Sequence, residues 1–505
     1  MTVAAETRRI TIDPVTRLEG HGRIEIFLDE QGNVAEAFFQ VPELRGFERF
    51  CVGRQAEEMP VITSRICGIC PEAHHLASVK ALDQIFNAPP PEAARKIREL
   101  LYMAFFVADH TTHFYALGGA DLLVGPEAPP GERNLFGVIR ALGNEAGRRI
   151  IACRERSHRA IKILGGRGIH PVAGVPGGWS KPVSLEEQAE LRQLASFNVA
   201  FAHETLQLFH SRVLASREWR EQFQSDLYLH RTHSMGTVDS ANRPDFHDGM
   251  VRVVDPEGVE IARYNPEGYA GHIAERVESW SYLKFPYLKK IGWQGFVDGP
   301  DSGVYVASPL SRLNVADAMA TSGAQEEFER FFETMGSGRN AAGRYHPVHQ
   351  RLATHWARLV ELLYAAERMQ QLADDPELTS PEVRRLPQGE CRCLGIGSVE
   401  APRGTLTHHY ETDANGILTR VNLVVGTTNN HAAMAMSIKR AAEHLITNGR
   451  VSEGILNRIE MAYRLYDPCL SCATHAIGLA DGPQLLIRAS NGEILHAFGG
   501  QGERP

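Results

Sequence analysis

The order of hydrophobic and polar positions predicts a small sheet at the start of the chain and long helices after it. Apolar and polar residues alternate over residues 24–28, and Gln31-Gly32-Asn33 supplies a turn, so residues 8–41 predict a β-hairpin. Farther along, apolar residues recur at intervals of three and four, the spacing of a helix packed on one face. This periodicity predicts helices within five stretches: 93–113, 184–209, 355–374, 432–445 and 455–465.

The middle of the chain has a different character. Residues 231–312 are rich in glycine, proline and aromatic residues, with turn sequences at 255–258 and 265–268, and we interpret them as an inserted β-rich subdomain. The whole pattern predicts an α+β fold, mostly helical, with a long central helix bundle and peripheral β-hairpins. The other predicted parts are an N-terminal β-rich segment (1–60), a helical core in two pieces (61–230 and 313–475) and a C-terminal tail (476–505).

The composition is that of a folded globular protein and narrows the range of partners. Of the 505 residues, 43% are hydrophobic and 23% are charged, so disorder is not expected. A formal net charge of -8, without a dense Lys/Arg stripe, argues against nucleic-acid binding. Because no stretch stays apolar long enough to span a bilayer and no export signal is recognisable, we expect no transmembrane segment and a cytoplasmic location. Export together with a partner that carries a signal is the alternative.

Eight cysteines are too few for a disulfide scaffold in a chain of this length, and six of them form close pairs. The pairs are Cys67 with Cys70, Cys391 with Cys393, and Cys469 with Cys472. The first and last pairs are C-x-x-C sequences, each followed by a histidine. Four thiolates that meet in space would form a soft metal site joining both ends of the chain. We interpret the middle pair as packing.

Local sequence predicts a helix start at each C-x-x-C pair. Pro71 suits the first turn of a helix, which puts Cys70 at a helix N-terminus, where a thiolate is favoured. Asp467-Pro468 predicts a second start, with Asp467 as the helix cap. A structural zinc site is the simplest alternative for such pairs. Zinc ribbons close short loops, however, whereas these pairs lie 402 residues apart (469 − 67).

The residues around the cysteines and four further segments indicate a resemblance to one protein family. The resemblance rests on Thr16–His21, Leu44–Glu48, Arg65–Cys70, Glu400–Gly404, Leu423–Asn429 and Asp467–Cys472. Over nearly its whole length the chain resembles the large, catalytic subunit of nickel-iron hydrogenases. Variations at 71–75, Gly426 and Asn430 make it most similar to the cytoplasmic, cofactor-coupled branch, of the bidirectional or methyl-viologen-reducing type. The resemblance implies the large-subunit fold and reversible heterolytic cleavage of H2 to protons and electrons.

The resemblance implies a nickel-iron centre. Cys67 and Cys469 would be terminal nickel ligands, and Cys70 and Cys472 would bridge to an iron that carries carbon monoxide and cyanide. Soft thiolates suit both metals, so the chemistry of the donors agrees.

Further residues around this centre follow from the same resemblance. Arg403 matches an arginine over the open metal position, acting as a base or as an electrostatic guide, and Asp109 and Asp467 match carboxylates that hold it. Glu19 matches the glutamate that relays protons from the terminal Cys469. Without the resemblance, Arg403 would be interpreted as part of a surface turn and Glu19 as an exposed carboxylate.

The remaining implied contacts are to the metal ligands and to a second ion. His74 would hydrogen-bond a bridging sulfur, whereas a histidine at such a position is otherwise a packed polar group. Thr427, with the Pro402 loop, would hold the cyanide ligands. Hard ligands suit magnesium. The implied magnesium site consists of Glu48, the imidazole of His475 and the backbone carbonyl of Leu423.

Electrons need a route out of the chain, because no cysteine-rich cluster motif remains after the four ligands are assigned. By resemblance, the route is an iron-sulfur small subunit, followed by further electron-transfer subunits that serve a nicotinamide, a deazaflavin, ferredoxin or a heterodisulfide. The tail beyond His475 matches one that a dedicated protease removes after metal-insertion factors have acted, and we predict the cut between His475 and Ala476.

Two further alternatives belong to other classes. A hydrogen-sensing regulatory subunit would use the same site, but the removable tail favours an enzyme. A non-catalytic relative in respiratory complex I would share the fold, but the four cysteines and Arg403 speak against it.

Overall fold

The computed structural model describes residues 9–387 and 389–474, together with the backbone of 485–488 and 494–498. The helices are α1 (Phe47–Cys51), α2 (Met59–Ser64), α3 (Pro71–Ile85), α4 (Glu92–Thr112), α5 (Gly119–Leu123), α6 (Leu135–Leu142), α7 (Asn144–Gly165), α8 (Leu185–Phe209), α9 (Arg217–Gln224), α10 (Tyr269–His272), α11 (Pro309–Val315), α12 (Ser322–Thr334), α13 (Thr354–Asp374), α14 (His431–Leu445) and α15 (Glu453–Arg464). The strands are β1 (Arg9–Ile12), β2 (Arg23–Leu28), β3 (Val34–Gln40), β4 (Gly174–Val175), β5 (Gly178–Trp179), β6 (His233–Val238), β7 (Met250–Val254), β8 (Glu260–Tyr264), β9 (Ile273–Val277), β10 (Lys284–Leu288), β11 (Tyr305–Val306), β12 (Leu394–Ala401), β13 (Gly404–Thr412), β14 (Leu418–Val424), β15 (Leu485–Arg488) and β16 (Ile494–Phe498).

The centre of the molecule is a bundle of long helices. Helix α13 packs against α4 and α8, and α7 packs against α4 and α8. Nearly every side of α13 is buried, so this helix forms the middle of the bundle. The five helices predicted from periodicity correspond to α4, α8, α13, α14 and α15, and Ser184 caps α8 through a capping box with Glu187. None of the helices in the described parts of the chain combines the length and apolar content that crossing a membrane requires.

Small sheets surround the bundle. Strands β1, β2 and β3 form an antiparallel meander, which confirms the hairpin predicted at the start of the chain. Strands β12, β13 and β14 form a second meander, and β11 pairs with β6 at the edge of a four-stranded sheet, β11-β6-β7-β8. Strand β15 pairs antiparallel with β16 within the predicted tail. The α+β class is confirmed, and six strands, β6 to β11, fall within residues 231–312. The division of the chain into five parts stays a prediction.

Two glycines let strand β12 lie directly on helix α3. A Cβ atom at Gly395 would sit 2.1 Å from the carbonyl oxygen of Ala81, and one at Gly397 would sit 1.9 Å from that of Ala77. Any larger residue would push the strand off the helix. Since β12 runs from Ala81 towards Ala77, it points to the N-terminal end of α3, where Cys70 lies. The turn after β12 is thereby brought to the first cysteine pair.

A buried ion pair network fixes that turn. The Arg312 guanidinium donates to both carboxylate oxygens of Glu361, at 2.6 and 2.7 Å, and to Glu400 at 3.1 Å. It also donates to the carbonyl oxygens of Ala401 and Pro402, each at 3.0 Å. Burial alone would lower the pKa of Arg312, but the two carboxylates outweigh it and raise the pKa above its ordinary value. A permanent cation therefore holds the start of the Pro402–Arg403 turn.

Candidate metal centre

Four cysteine sulfurs meet inside the protein. The Sγ atoms of Cys67 and Cys469 are 3.2 Å apart, those of Cys70 and Cys472 are 3.3 Å apart, and those of Cys469 and Cys472 are 2.9 Å apart. All four sulfurs lie within 4.8 Å of one another, and all four residues are buried. Four soft donors at this spacing form a cluster that can bind metal. The half-buried Cys391 and Cys393 do not belong to it.

The first cysteine pair sits at a helix start, as predicted. Cys70 is the residue before the first turn of α3, and Pro71 occupies that turn. The Cys67 sulfur accepts the backbone N–H groups of Ile69, at 3.2 Å, and Cys70, at 3.4 Å. Hydrogen bonds from the other three cysteines, led by Cys469, lower the pKa of Cys67 well below its usual value. The cluster therefore favours at least one thiolate.

The helix start predicted at Asp467-Pro468 is wrong within the described residues. Residues 467–474 form an irregular turn, and Cys469 makes an isolated parallel bridge with Glu19. Asp467 adopts φ 55°, in the left-handed region, rather than the extended conformation of a helix cap. Its carboxylate pairs with Arg403 instead. The carboxylate is therefore not available to cap a helix.

Glu19 joins the N-terminal part of the chain to the second cysteine pair. Its Oε2 atom lies 3.1 Å from the Cys469 sulfur and accepts the backbone N–H of Ser471, also at 3.1 Å. The Leu470 N–H donates to the carbonyl oxygen of Glu19 at 2.9 Å. The carboxylate is thus fixed against a sulfur rather than exposed at a strand end.

Arg403 is held near the cysteine cluster by two carboxylates. Its Nη1 donates to Asp109 at 3.1 Å and its Nη2 lies 2.9 Å from an oxygen of Asp467. Burial would lower the pKa of Arg403, but these carboxylates outweigh it and hold the pKa well above the ordinary value. The Asn430 side chain donates to the Arg403 carbonyl oxygen at 2.7 Å. Both ends of the arginine are therefore positioned.

Thr427, Pro402 and His74 lie in the same buried region. The Thr427 hydroxyl oxygen accepts the backbone N–H of Cys469 at 3.0 Å, which leaves its hydrogen available for another acceptor. Pro402 forms the turn with Arg403, and its carbonyl accepts from Arg312. His74 lies four residues after Cys70 on α3, and its Nε2 atom is buried without a hydrogen-bond partner among the described residues.

Glu48 has two contacts of its own. Its carboxylate accepts the backbone N–H of Leu423 at 2.8 Å and lies 3.0 Å from the ammonium group of Lys284. Lys284 also contacts Glu275 at 3.3 Å and the side-chain oxygen of Asn422 at 3.1 Å. His475, the predicted cut after it and the turn of the tail hairpin lie outside the described residues.

Sequence reasoning assigned no contact to three residues that shape the site. Arg312 fixes the Pro402–Arg403 turn, Asn430 fixes the arginine backbone, and Lys284 binds Glu48. Asn430 had a signal, since it directly follows the motif segment that contains Thr427. Arg312 and Lys284 are isolated cations in the sequence, and only the folded chain reveals their partners.

The fold and the site together define a metal-binding protein with a buried four-thiol centre closed by an ion-paired arginine. Comparison with known proteins identifies the family. The model of the family described as nickel-dependent hydrogenase matches residues 45–124 and 262–475, and a model described as HoxL-like matches residues 9–44. The chain belongs to the nickel-dependent hydrogenase family.

Individual relatives match over almost the whole length. An F420-non-reducing hydrogenase iron-sulfur subunit of Archaeoglobus profundus is 45% identical, covering 97% of this chain and 99% of that protein. The NAD-reducing hydrogenase HoxS subunit beta of Cupriavidus necator is 37% identical, covering 94% and 96%. The crystal structure of an NAD+-reducing NiFe-hydrogenase in the H2-reduced state matches with a TM-score of 0.81 and 37% identity, covering 93% of this chain and all of that one.

A more distant structure shares the fold. The Ni-Fe-Se hydrogenase from D. vulgaris Hildenborough matches with a TM-score of 0.68 at 22% identity, covering 93% of this chain.

The family model and the relatives above identify the chain as the large, catalytic subunit of a nickel-iron hydrogenase, an oxidoreductase whose family activity is the cleavage of H2. Family membership and the intact set of four cysteines favour this conclusion over a structural zinc protein or a complex I relative.

Proposed function

We propose that the four cysteines hold a nickel-iron centre that cleaves H2 reversibly, with carbon monoxide and cyanide on the iron. Cys67 and Cys469 would hold the nickel, and Cys70 and Cys472 would be shared by the nickel and the iron. The observation that carries the proposal is the convergence of four buried sulfurs within 4.8 Å. Soft thiolates fit nickel and iron, and the free hydroxyl hydrogen of Thr427, beside the Pro402 turn, fits a cyanide acceptor. When bound, the centre supplies heterolytic cleavage of H2.

Glu19 is the proton acceptor in this proposal. Heterolysis yields a proton, and a base must lie within hydrogen-bond distance of the group that gives it up. The Glu19 carboxylate is 3.1 Å from the Cys469 sulfur and is oriented by the Ser471 N–H. A proton on that sulfur can pass to Glu19 without movement of the backbone.

Arg403 acts as an electrostatic guide rather than as the base. Its pKa is held above the ordinary value by Asp109 and Asp467, so it keeps its proton. A fixed cation in a buried site stabilises negative charge that develops beside it. The two carboxylates set where that cation lies.

A magnesium ion bound by Glu48, His475 and the Leu423 carbonyl remains part of the proposal. Two observations bear on it. Glu48 supplies a hard carboxylate oxygen, which contacts the Lys284 ammonium at 3.0 Å in the structure. The Arg45 N–H donates to the Thr474 carbonyl at 2.8 Å, which attaches the chain just before His475 to the segment that carries Glu48.

An iron-sulfur small subunit is the proposed electron acceptor, with further electron-transfer subunits beyond it. Four apolar side chains around α1 and α2, just before the Cys67 motif, are exposed to solvent. They are Leu44, Phe50, Val52 and Val61. Exposed apolar side chains grouped in this way favour a protein partner. Metal-insertion factors and a protease that cuts after His475 are the proposed maturation partners.

A cytoplasmic location completes the proposal. All eight cysteines are free thiols, which fits a reducing compartment. The likeness to F420-non-reducing and NAD-reducing hydrogenase subunits supports the same location.

Metal analysis and turnover on the purified native complex test the proposed function. Nickel and iron should be present together. The complex should also oxidise H2 with sustained turnover when a dye serves as the electron acceptor. Zinc in place of nickel would refute the proposed centre. Full metal occupancy with negligible turnover would instead indicate the hydrogen sensor. Mass spectrometry of the same complex identifies the electron-transfer subunits.

A further inference from the structure

Arg45 connects the two cysteine segments of the chain, residues 66–70 and 467–474. A single nitrogen of its guanidinium, Nη1, donates to the carbonyl oxygen of Ile66 and, at 3.5 Å, to that of Ser471. Each carbonyl belongs to the residue directly before a cysteine of the cluster, Cys67 in the first case and Cys472 in the second. One side chain therefore contacts both C-x-x-C motifs.

The backbone at Arg45 holds the second cysteine segment as well. The N–H groups of Arg45 and Gly46 both donate to the carbonyl oxygen of Thr474, at 2.8 and 3.3 Å. Gly46 adopts φ 62°, in the left-handed region that favours glycine. Successive N–H groups can converge on one oxygen where the backbone turns in this way. Side chain and backbone thus act on the same two segments.

The contacts of Arg45 lie at the edge of the buried cluster. Arg45 itself is exposed, whereas Ile66 and the four cysteines are buried. The sulfurs of Cys67 and Cys469 are 3.2 Å apart, and this distance depends on how the two cysteine segments lie relative to each other. Hydrogen bonds from a charged donor are about twice as strong as neutral ones, so the guanidinium restrains both segments.

A role in binding the partner subunit alone is the alternative for Arg45. Its neighbour Leu44 is exposed, as is Phe50, and both belong to the apolar group assigned above to a protein partner. The hydrogen bonds of the guanidinium run inward, however, to the carbonyl groups of Ile66 and Ser471. Their direction favours a role inside this chain.

We propose that Arg45 is a positioning residue that fixes the two cysteine segments relative to each other and so slows the loss of metal from the four sulfurs. The inference rests on the proposed function, in which those sulfurs hold nickel and iron. Residues one step removed from metal ligands commonly change metal affinity about 10- to 100-fold when they are replaced. Because Arg45 contacts backbone carbonyl groups and not the sulfurs, we expect the lower end of that range.

The test measures how fast nickel leaves the intact, metal-loaded complex in excess chelator, at a temperature below the unfolding midpoint at which the unmodified complex loses nickel measurably. Arg45→Met keeps an unbranched side chain but has no N–H to donate, so nickel should leave about 10-fold faster. Arg45→Lys should restore most of the retention, because one nitrogen makes both contacts and an ammonium carries three N–H groups. The unfolding midpoints should differ little, which separates this effect from a general loss of stability.

Arg54→Met is the matched control. Arg54 is a second exposed arginine of the same surface, and its Nε donates to the Phe50 carbonyl at 3.4 Å. Its guanidinium lies 4.2 Å from the centre of the Phe50 ring and pairs with Glu58. The variant therefore disturbs the proposed docking surface without removing a contact to Ile66 or Ser471. Its nickel release should match that of the unmodified complex.

Nickel release from Arg45→Met within about twofold of the unmodified rate would overturn the inference. Equal acceleration by Arg54→Met, or no rescue by Arg45→Lys, would overturn it as well. If Arg45→Met does not fold, Arg45→Gln takes its place under the same comparisons, because its amide N–H ends too early to reach both carbonyl groups. An unmodified complex without nickel would instead refute the proposed function, which is a different result from unchanged release.

Discussion

Replacing Arg403 by lysine removes one contact of the guanidinium while keeping its charge. The arginine bridges two carboxylates, at 3.1 Å to Asp109 and 2.9 Å to Asp467, and a single ammonium cannot reproduce that fork. Losing one charged hydrogen bond costs about 1.5–3 kcal/mol. Losing a preorganised electrostatic group at a reacting centre costs about 2.7–4 kcal/mol, or about 10²–10³ in rate. We therefore expect Arg403→Lys to slow H2 oxidation by about 10²–10³-fold.

The assay pairs a dye-reduction rate with the metal content of the same sample. Nickel and iron should stay at the level of the unmodified protein, because Arg403 is not among the four sulfur donors. Arg420→Lys is the matched control, since that exposed arginine pairs with Glu411 on the surface and should leave the rate unchanged. A rate within about twofold of the unmodified enzyme, at full metal content, would contradict the electrostatic role of Arg403.

Four other outcomes are expected. Glu19→Gln should slow proton exchange with H2 by about 10²–10⁴-fold, because an amide cannot take the proton, and undiminished isotope exchange would place the proton path elsewhere. Cys469→Ser should abolish nickel binding while Cys391→Ser retains it, and nickel in both variants would refute the ligand assignment. The mass of the large subunit in active enzyme should end at His475, so an active chain of full length would disprove maturation by cleavage. Trp356→Ala, at a fully buried position in α13, should lower the free energy of unfolding by about 3–5 kcal/mol in a denaturant titration, and a change below about 1 kcal/mol would mean that α13 is not the centre of the core.

The sequence predicted those helices that are determined by residues close together in the chain. The periodicity of α4 and α13 and the capping residue Ser184 act within a few residues, so each could be recognised without the fold. The helix start predicted at Asp467 was wrong because a distant residue determines the conformation there. Its sequence is that of a helix cap, but a guanidinium 64 residues earlier in the chain (467 − 403) captures its carboxylate.

Only those parts of the candidate site that belong to sequence motifs could be predicted. The C-x-x-C pairs and the Pro402–Arg403 turn can be read from the sequence, whereas the cations that hold the surroundings cannot. Arg312 and Lys284 are single residues with no spacing pattern, and their partners come from other parts of the chain. The buried contacts that join His74, His408 and Tyr410 depend on distances that no pattern encodes.

The contacts around the second cysteine pair bear on how the tail can be lost. Cys469 is held by the Thr427 hydroxyl and by Glu19, and Thr474 is held by the backbone N–H of Arg45. Each of these partners lies before residue 475, so cleavage after His475 would leave all of them in place. A tail whose removal costs the site none of these contacts can serve during assembly and then be discarded.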